Sequence, residues 1–239
     1  MRGFAGVAAA AAILALAGCA QFKETPEAAT ISNAISALPG FNRTSGLDVH
    51  AVRAIKTVII HKIAVMPLIE LPDQIDGTLP AGSAESVTAD LYARAAVMGG
   101  WEVVPQDDVG AAMEQLPPTT QADMDQNALQ LGRKVAADGV IYGAVTRYRE
   151  RVGFEYAIQT PAAVAFTLYF VDENTKQVVW TGKFAREQKT LSQNVLDLPN
   201  FLENKARWVR AHDIAAQGIQ GALDDLQSRL TIMPVLQGK

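Results

Sequence analysis

The chain has 239 residues, 49% of them hydrophobic and 19% charged, with 21 lysines and arginines against 25 aspartates and glutamates for a net charge of −4. A mildly acidic chain without a basic run excludes a phosphate-backbone partner, so no nucleic-acid binding is expected. One cysteine and three scattered histidines, His50, His61 and His212, show no metal-ligand spacing, so neither a metal nor another cofactor is expected.

The N-terminus has the three parts of a secretory leader: a basic start at Arg2, an apolar stretch from Phe4 to Leu16, and small residues at Ala17 and Gly18. The apolar stretch is shorter than the about 20 residues that span a bilayer, and Gln21, Lys23, Glu24, Pro26 and Glu27 follow it closely. Leu16-Ala17-Gly18-Cys19 resembles a bacterial lipobox. The resemblance implies that a signal peptidase recognises Leu16, Ala17 and Gly18, cuts before Cys19, and leaves Cys19 with a diacylglyceryl thioether and an acylated, typically palmitoylated, amino group. Two or three acyl chains at ~0.8 kcal/mol per buried methylene hold a protein durably in a lipid bilayer. Ala20 stands where an aspartate would retain such a protein in the inner membrane, so by the same resemblance the outer membrane is expected. A chain whose thiol is acylated can form no disulfide, and its stability must come from packing.

The organisation expected is a signal peptide over 1–18, the acylated cysteine and a flexible tether over 19–48, and a single α/β domain over 49–239. The tether is rich in Thr, Ser, Asn, Pro and Gly, with only Ile31 to Leu38 able to form a weak helix. At about 25 residues its r.m.s. reach is about 25–30 Å. Val58-Ile59-Ile60 and Ile63-Ala64-Val65-Met66, the second run ended by Pro67, are short apolar runs that suit buried strands. A polar loop through Asp73-Gln74-Ile75-Asp76-Gly77 and Pro80-Ala81-Gly82 precedes a helix from Ser83 through Leu91, Ala95 and Val97, stopped by Gly99-Gly100. Trp101 to Pro105 reads as a strand, and Asp107 and Asp108 are placed to cap a short helix from Val109 to Leu116. The same two carboxylates could be an acid pair, but adjacent residues on a helix do not face each other, so they form no catalytic dyad by themselves.

Asp125 to Ala137 is a second full helix that leads through Asp138-Gly139 into the strand Val140 to Val145. Strand, helix, strand, helix, strand implies a parallel core with helical crossovers. Beyond Tyr148 the alternate residues from Phe154 to Phe170 are mostly apolar, which predicts one half-buried strand bent at Pro161. A turn at Asp172 to Lys176 returns the chain through Val178 to Phe184 as an antiparallel partner. From about Phe201 to Leu230, Trp208, His212, Ala215, Ile219, Leu223, Leu226 and Leu230 recur every three or four residues, which predicts a long amphipathic helix with His212 on its apolar face. That stripe is either domain core or a seam for a partner subunit. The fold class is therefore α/β: a three-layer domain with parallel core strands extended by antiparallel strands, plus a long C-terminal helix.

No glycine-rich phosphate loop, nucleophile elbow or His-Glu-x-x-His motif occurs, so no catalytic residue is nominated and the chain is not read as an enzyme. Topology alone would place a small-molecule site in the cleft beside the parallel strand ends, an argument by analogy.

Lys62-Ile63-Ala64-Val65-Met66-Pro67, the helix ending in Gly99-Gly100 before Trp101-Glu102-Val103-Val104-Pro105, and Ala136-Ala137-Asp138-Gly139-Val140-Ile141-Tyr142-Gly143 occur in a telling order. Behind a lipobox, and with Phe170-Val171-Asp172 and Val178-Val179-Trp180-Thr181-Gly182 following, this order resembles the envelope lipoproteins of the curli-secretion (CsgG) type. Related groups are the polysaccharide-export lipoprotein PelC, the lipoprotein activators of penicillin-binding proteins, and neisserial-type lipoproteins. The resemblance covers about residues 55 to 187. It implies a domain related to the N-terminal domain of TolB, no catalysis, envelope proteins or further copies of the chain as partners, and a role in assembly, export or cell-wall regulation at the outer membrane. A ring-forming secretion channel of the curli type is the alternative. Its barrel would need membrane strands of some 9–11 residues, and only Phe154 to Phe170 has that alternation.

Overall fold

The computed structural model describes residues 46–74, 77–154, 157–187 and 210–232. In chain order these form β1 (Leu47–Ala51), a 3-10 turn (Arg53–Thr57), β2 (Ile59–Ile60), β3 (Lys62–Val65), β4 (Ile69–Glu70), α1 (Ser83–Val97), β5 (Glu102–Val103), α2 (Gln106–Met113) and α3 (Met124–Val135). Then follow β6 (Gly139–Arg149), β7 (Val152–Phe154), β8 (Ala157–Thr160), β9 (Ala163–Asp172), β10 (Gln177–Glu187), α4 (Ala211–Arg229) and β11 (Thr231–Ile232). A seven-stranded sheet runs β1-β10-β9-β6-β3-β5, with β4 also paired to β6. β3 is parallel to both β5 and β6, whereas β6, β9, β10 and β1 pair antiparallel in succession. The expected mixed α/β architecture is present.

β3 explains the continuous apolar run in the sequence. Ile63 and Val65 point into a core shared with α1 and α4, while Ala64 and Met66 point into a second core shared with α2 and α3. A parallel strand covered on both faces has no solvent side to mark with polar residues. Asp138 sets the register at its start: the carboxylate accepts the backbone N–H groups of His61 at 2.7 Å and Lys62 at 2.8 Å, and its own N–H donates to the Lys62 carbonyl at 2.8 Å. Buried Thr88 ties α1 to the sheet, donating to the Ala84 carbonyl at 2.7 Å and accepting the Leu68 N–H at 3.0 Å.

The β9–β10 hairpin is closed where the sequence places it. Buried Asp172 accepts the Thr175 N–H at 2.9 Å and its hydroxyl at 2.7 Å, and Lys176 takes the left-handed conformation at φ 57°.

Four expectations are corrected. The single strand from Phe154 to Phe170 is divided: β8 stops at Thr160 and β9 starts at Ala163. Pro161 lies between them, with no N–H for a ladder. The C-terminal helix begins at Ala211, because Arg210 is extended at φ −85° and ψ 164° and the Asp213 carboxylate accepts the Arg210 N–H at 3.1 Å. Residues 201–209, Trp208 included, lie outside the described residues. His212 is exposed beside the apolar stripe, which runs through Ala211, Ile214, Ala215, Ile219, Ala222, Leu223 and Leu226. Finally, α2 starts at Gln106, so Asp107 and Asp108 occupy its first turn and act on the helix dipole without a side-chain cap. Leu47 and Asp48 pair with β10 at the head of β1.

Candidate functional site: a tyrosine-lined cleft on the open sheet face

The two faces of the sheet are covered unequally. On one, α1 and α4 bury Phe166, Leu168, Phe170, Trp180 and Phe184 from β9 and β10. On the other, α2 and α3 pack over β3 and β6 and reach Val171 and the half-buried Tyr169 of β9 and Val178 of β10. Period-2 alternation sends the remaining residues of that face to solvent: Asp48 and His50 of β1 and Lys183, Ala185 and Glu187 of β10 are exposed, and Thr181 is half-buried. The registers align these residues in rows, His50–Thr181–Tyr169–Tyr142 and Asp48–Lys183–Thr167–Ala144.

Where the first turn of α3 meets this open face lies a cleft of about 340 Å³. Leu71, Met124 and Ala144 form its apolar side, and Gln121, Asp125, Thr146, Thr167 and Tyr169 its polar side. β3 pairs with β6 only as far as Ile141, so Ala144 and Thr146 place the cleft beyond the carboxyl end of a parallel strand, where α/β sheets commonly take ligands. Tyr142 is fully buried beneath it, stacked on Tyr169 with ring centroids 5.3 Å apart and planes inclined by 27°. The Tyr142 hydroxyl donates to Asp125 Oδ1 at 2.8 Å. Burial, then that hydrogen bond and the charge of Asp125, hold the Tyr142 phenol well above its ordinary range. Burial and then Asp125 raise that of Tyr169 as well. Both hydroxyls are therefore neutral at physiological pH, suited to hydrogen bonding and not to proton abstraction.

Asp125, at the head of a helix, and Tyr142, inside an apolar strand, read in sequence as a helix start and as core; the site arises only because β6 carries Tyr142 beneath α3. Of the residues singled out from the sequence, Leu16, Ala17, Gly18 and Cys19 lie outside those described. The three histidines are not brought together: His50 on β1 pairs with Thr181 on β10, His61 sits between β2 and β3, and His212 Nδ1 lies 3.0 Å from Asp90 Oδ2 on α1. Among the described residues no group of three or more His, Cys, Asp or Glu could hold a metal, and no helix is long and apolar enough to cross a membrane.

No family model matches the chain, and no curated protein matches it. Solved structures do. The PelC dodecamer from Paraburkholderia phytofirmans is 16% identical, with 76% of this chain and 96% of that chain covered at a TM-score of 0.43. The LpoB C-terminal domain from Salmonella enterica is 22% identical, covering 55% and 86% at 0.38, and lipoprotein GNA1162 from Neisseria meningitidis is 22% identical, covering 61% and 93% at 0.37. PelC, LpoB and a neisserial lipoprotein, which stand for the groups that the sequence motifs resemble, are thus among the solved proteins to which this chain is similar.

Proposed function

We propose that this chain is an outer-membrane lipoprotein, anchored through acylated Cys19 with its domain facing the periplasm, that serves as a non-catalytic assembly, scaffold or activator subunit of an envelope export or cell-wall machine. The observation that carries the interaction role is the half-covered sheet. β10 and β1 display Asp48, His50 and Lys183, with the half-buried Thr181 beside them, to solvent while their other face is packed as core. Such a surface is rigid before a partner arrives, so little conformational freedom is lost on docking. The lipobox supports the anchor.

Extraction from outer membranes in mild detergent, comparing the wild type with Cys19→Ala, tests the first part. Fractionation with membranes only when Cys19 is present is expected; equal partitioning of both forms defeats the anchor. A photo-crosslinking residue at Thr181 tests the second part and is expected to capture an envelope protein, whereas adducts no different from those of the same probe at Glu114 on α2's far end count against the open face. The channel alternative is not favoured, because β7 and β8, at three and four residues, fall short of membrane strands of about 9–11 residues, and β9, at ten, is paired on both edges within the sheet.

A further inference from the structure

We infer that the cleft between α3 and β6 is a binding site for an alkylammonium group, carried either on a lysine side chain of a partner or on a free aliphatic amine. The site does not depend on the anchor or on the docking role of the open face.

The chemistry of the wall selects the ligand. Asp125 is the sole charged side chain among the lining residues, so the cleft carries one negative charge and disfavours anions. The Tyr142 hydroxyl spends its only proton on Asp125 Oδ1, which fixes the carboxylate and leaves its remaining lone pairs to accept. The Thr167 and Tyr169 hydroxyls and the Gln121 amide on the polar side can accept or donate, so they can turn an acceptor to a bound donor. A single anionic acceptor in the wall calls for a cationic donor, and an ammonium has three donors and no acceptor.

The aromatic pair supplies a second attraction. Tyr169, half-buried and stacked on Tyr142, lines the same cleft as Asp125, and a ring face attracts a cation that comes within about 6 Å of it. The apolar side, Leu71, Met124 and Ala144, is where a methylene stem would lie, since such stems pack on apolar surface while the charged head keeps its polar contacts. At about 340 Å³ the cleft sits at the small end of ligand sites, a size for one aliphatic chain. Lys183, the nearest cation on the open face by register, is opposite Thr167 and is not part of the lining.

The test uses the detergent-solubilised full chain and 1,5-diaminopentane as probe, with 1,5-pentanediol and glutarate as its neutral and anionic counterparts of similar length. Saturable binding of the diamine alone, read by calorimetry and by the shifts of the Tyr169 ring resonances, is expected. Asp125→Asn, which keeps the shape and an acceptor for Tyr142, is expected to weaken the diamine by about tenfold or more, the size of a hydrogen bond to a charged group. Tyr169→Leu, which removes the ring but keeps an apolar cover over Tyr142, is expected to weaken it severalfold in a protein that still unfolds cooperatively. A lysine-containing peptide run beside the diamine separates the sources: preference for the peptide assigns a partner's lysine, and preference for the diamine a free amine. Equal binding of the diol, undiminished binding to folded Asp125→Asn, or no binding of either amine would overturn the assignment, and none of these results would alter the Cys19 or Thr181 experiments.

Discussion

β3 and β6 are packed between helices on both faces, whereas β10 and β1 are packed on one. The two halves of one sheet consequently obey different rules. In the first, every residue of the run is core and a change on either face is felt. In the second, neighbouring residues a single position apart belong to the interior and to solvent, so Trp180 and Phe184 are constrained while Thr181 and Lys183 are free to serve a partner.

That contrast can be broken most forcefully at Trp180, which is buried and donates its indole N–H to Asp225 Oδ1 at 2.9 Å. Trp180→Ala is expected to cost about 3–5 kcal/mol in urea unfolding. The packed side of the same half is probed more gently by Gly218→Ala on α4, where the new methyl would sit 2.7 Å from the Phe184 ring; about 1–3 kcal/mol of overpacking is expected. In the doubly covered half, Asp138→Ala leaves the His61 and Lys62 N–H groups without their acceptor and is expected to cost about 1–2 kcal/mol by the same assay.

Asp225 adds a pH dependence to the packed side. Burial opposes its charge, but hydrogen bonds from Arg229 and Trp180 together with the Arg229 charge outweigh that and hold the carboxyl below its ordinary value of 3.8. A carboxyl lowered by folding stabilises the native state above its unfolded value, and that contribution is lost as pH falls through the folded one. The stability of the wild type is thus expected to drop more steeply below about pH 4 than that of Asp225→Asn, as measured by thermal unfolding across the acid range. The smallest effect belongs to the open face, where Lys183→Ala is expected to stay within about 0.5 kcal/mol. A loss there as large as at Gly218 would mean that the two faces of β10 are not distinct.

What the sequence revealed follows the same division. The βαβ core was legible because strands buried on both faces read as continuous apolar runs and the crossovers are helices bounded by glycines. The hairpin was legible from Asp172 to Lys176. β1 escaped because Leu47-Asp48-Val49-His50-Ala51 is a weak alternation beside a tether-like composition, and only its pairing to β10 makes it a strand. The misplacement of His212 has a local cause: a stripe read at steps of three and four can run through either of two adjacent columns, and burial of Ala211 and Ile214 decided it. Topology pointed to the strand ends as the place of a cleft, but its wall could not be read, since Asp125 and Tyr142 are 17 residues apart and meet only after α3 has folded back on β6.

β1 has a mechanical consequence. It is the first strand of the described chain, held antiparallel to β10 by five residue pairs from Leu47↔Phe184 to Ala51↔Trp180. Backbone hydrogen bonds flank the run at both ends, Ala185 N–H to the Gly46 carbonyl at 2.9 Å and Val52 N–H to the Val179 carbonyl at 3.0 Å. Tension applied to the N-terminal end along the strand loads this ladder in shear, so its bonds must give way together, while a pull across the strands would unzip them one at a time. A load along β1 is thereby shared by the whole ladder to β10 and by the core on which Leu47, Val49 and Ala51 pack.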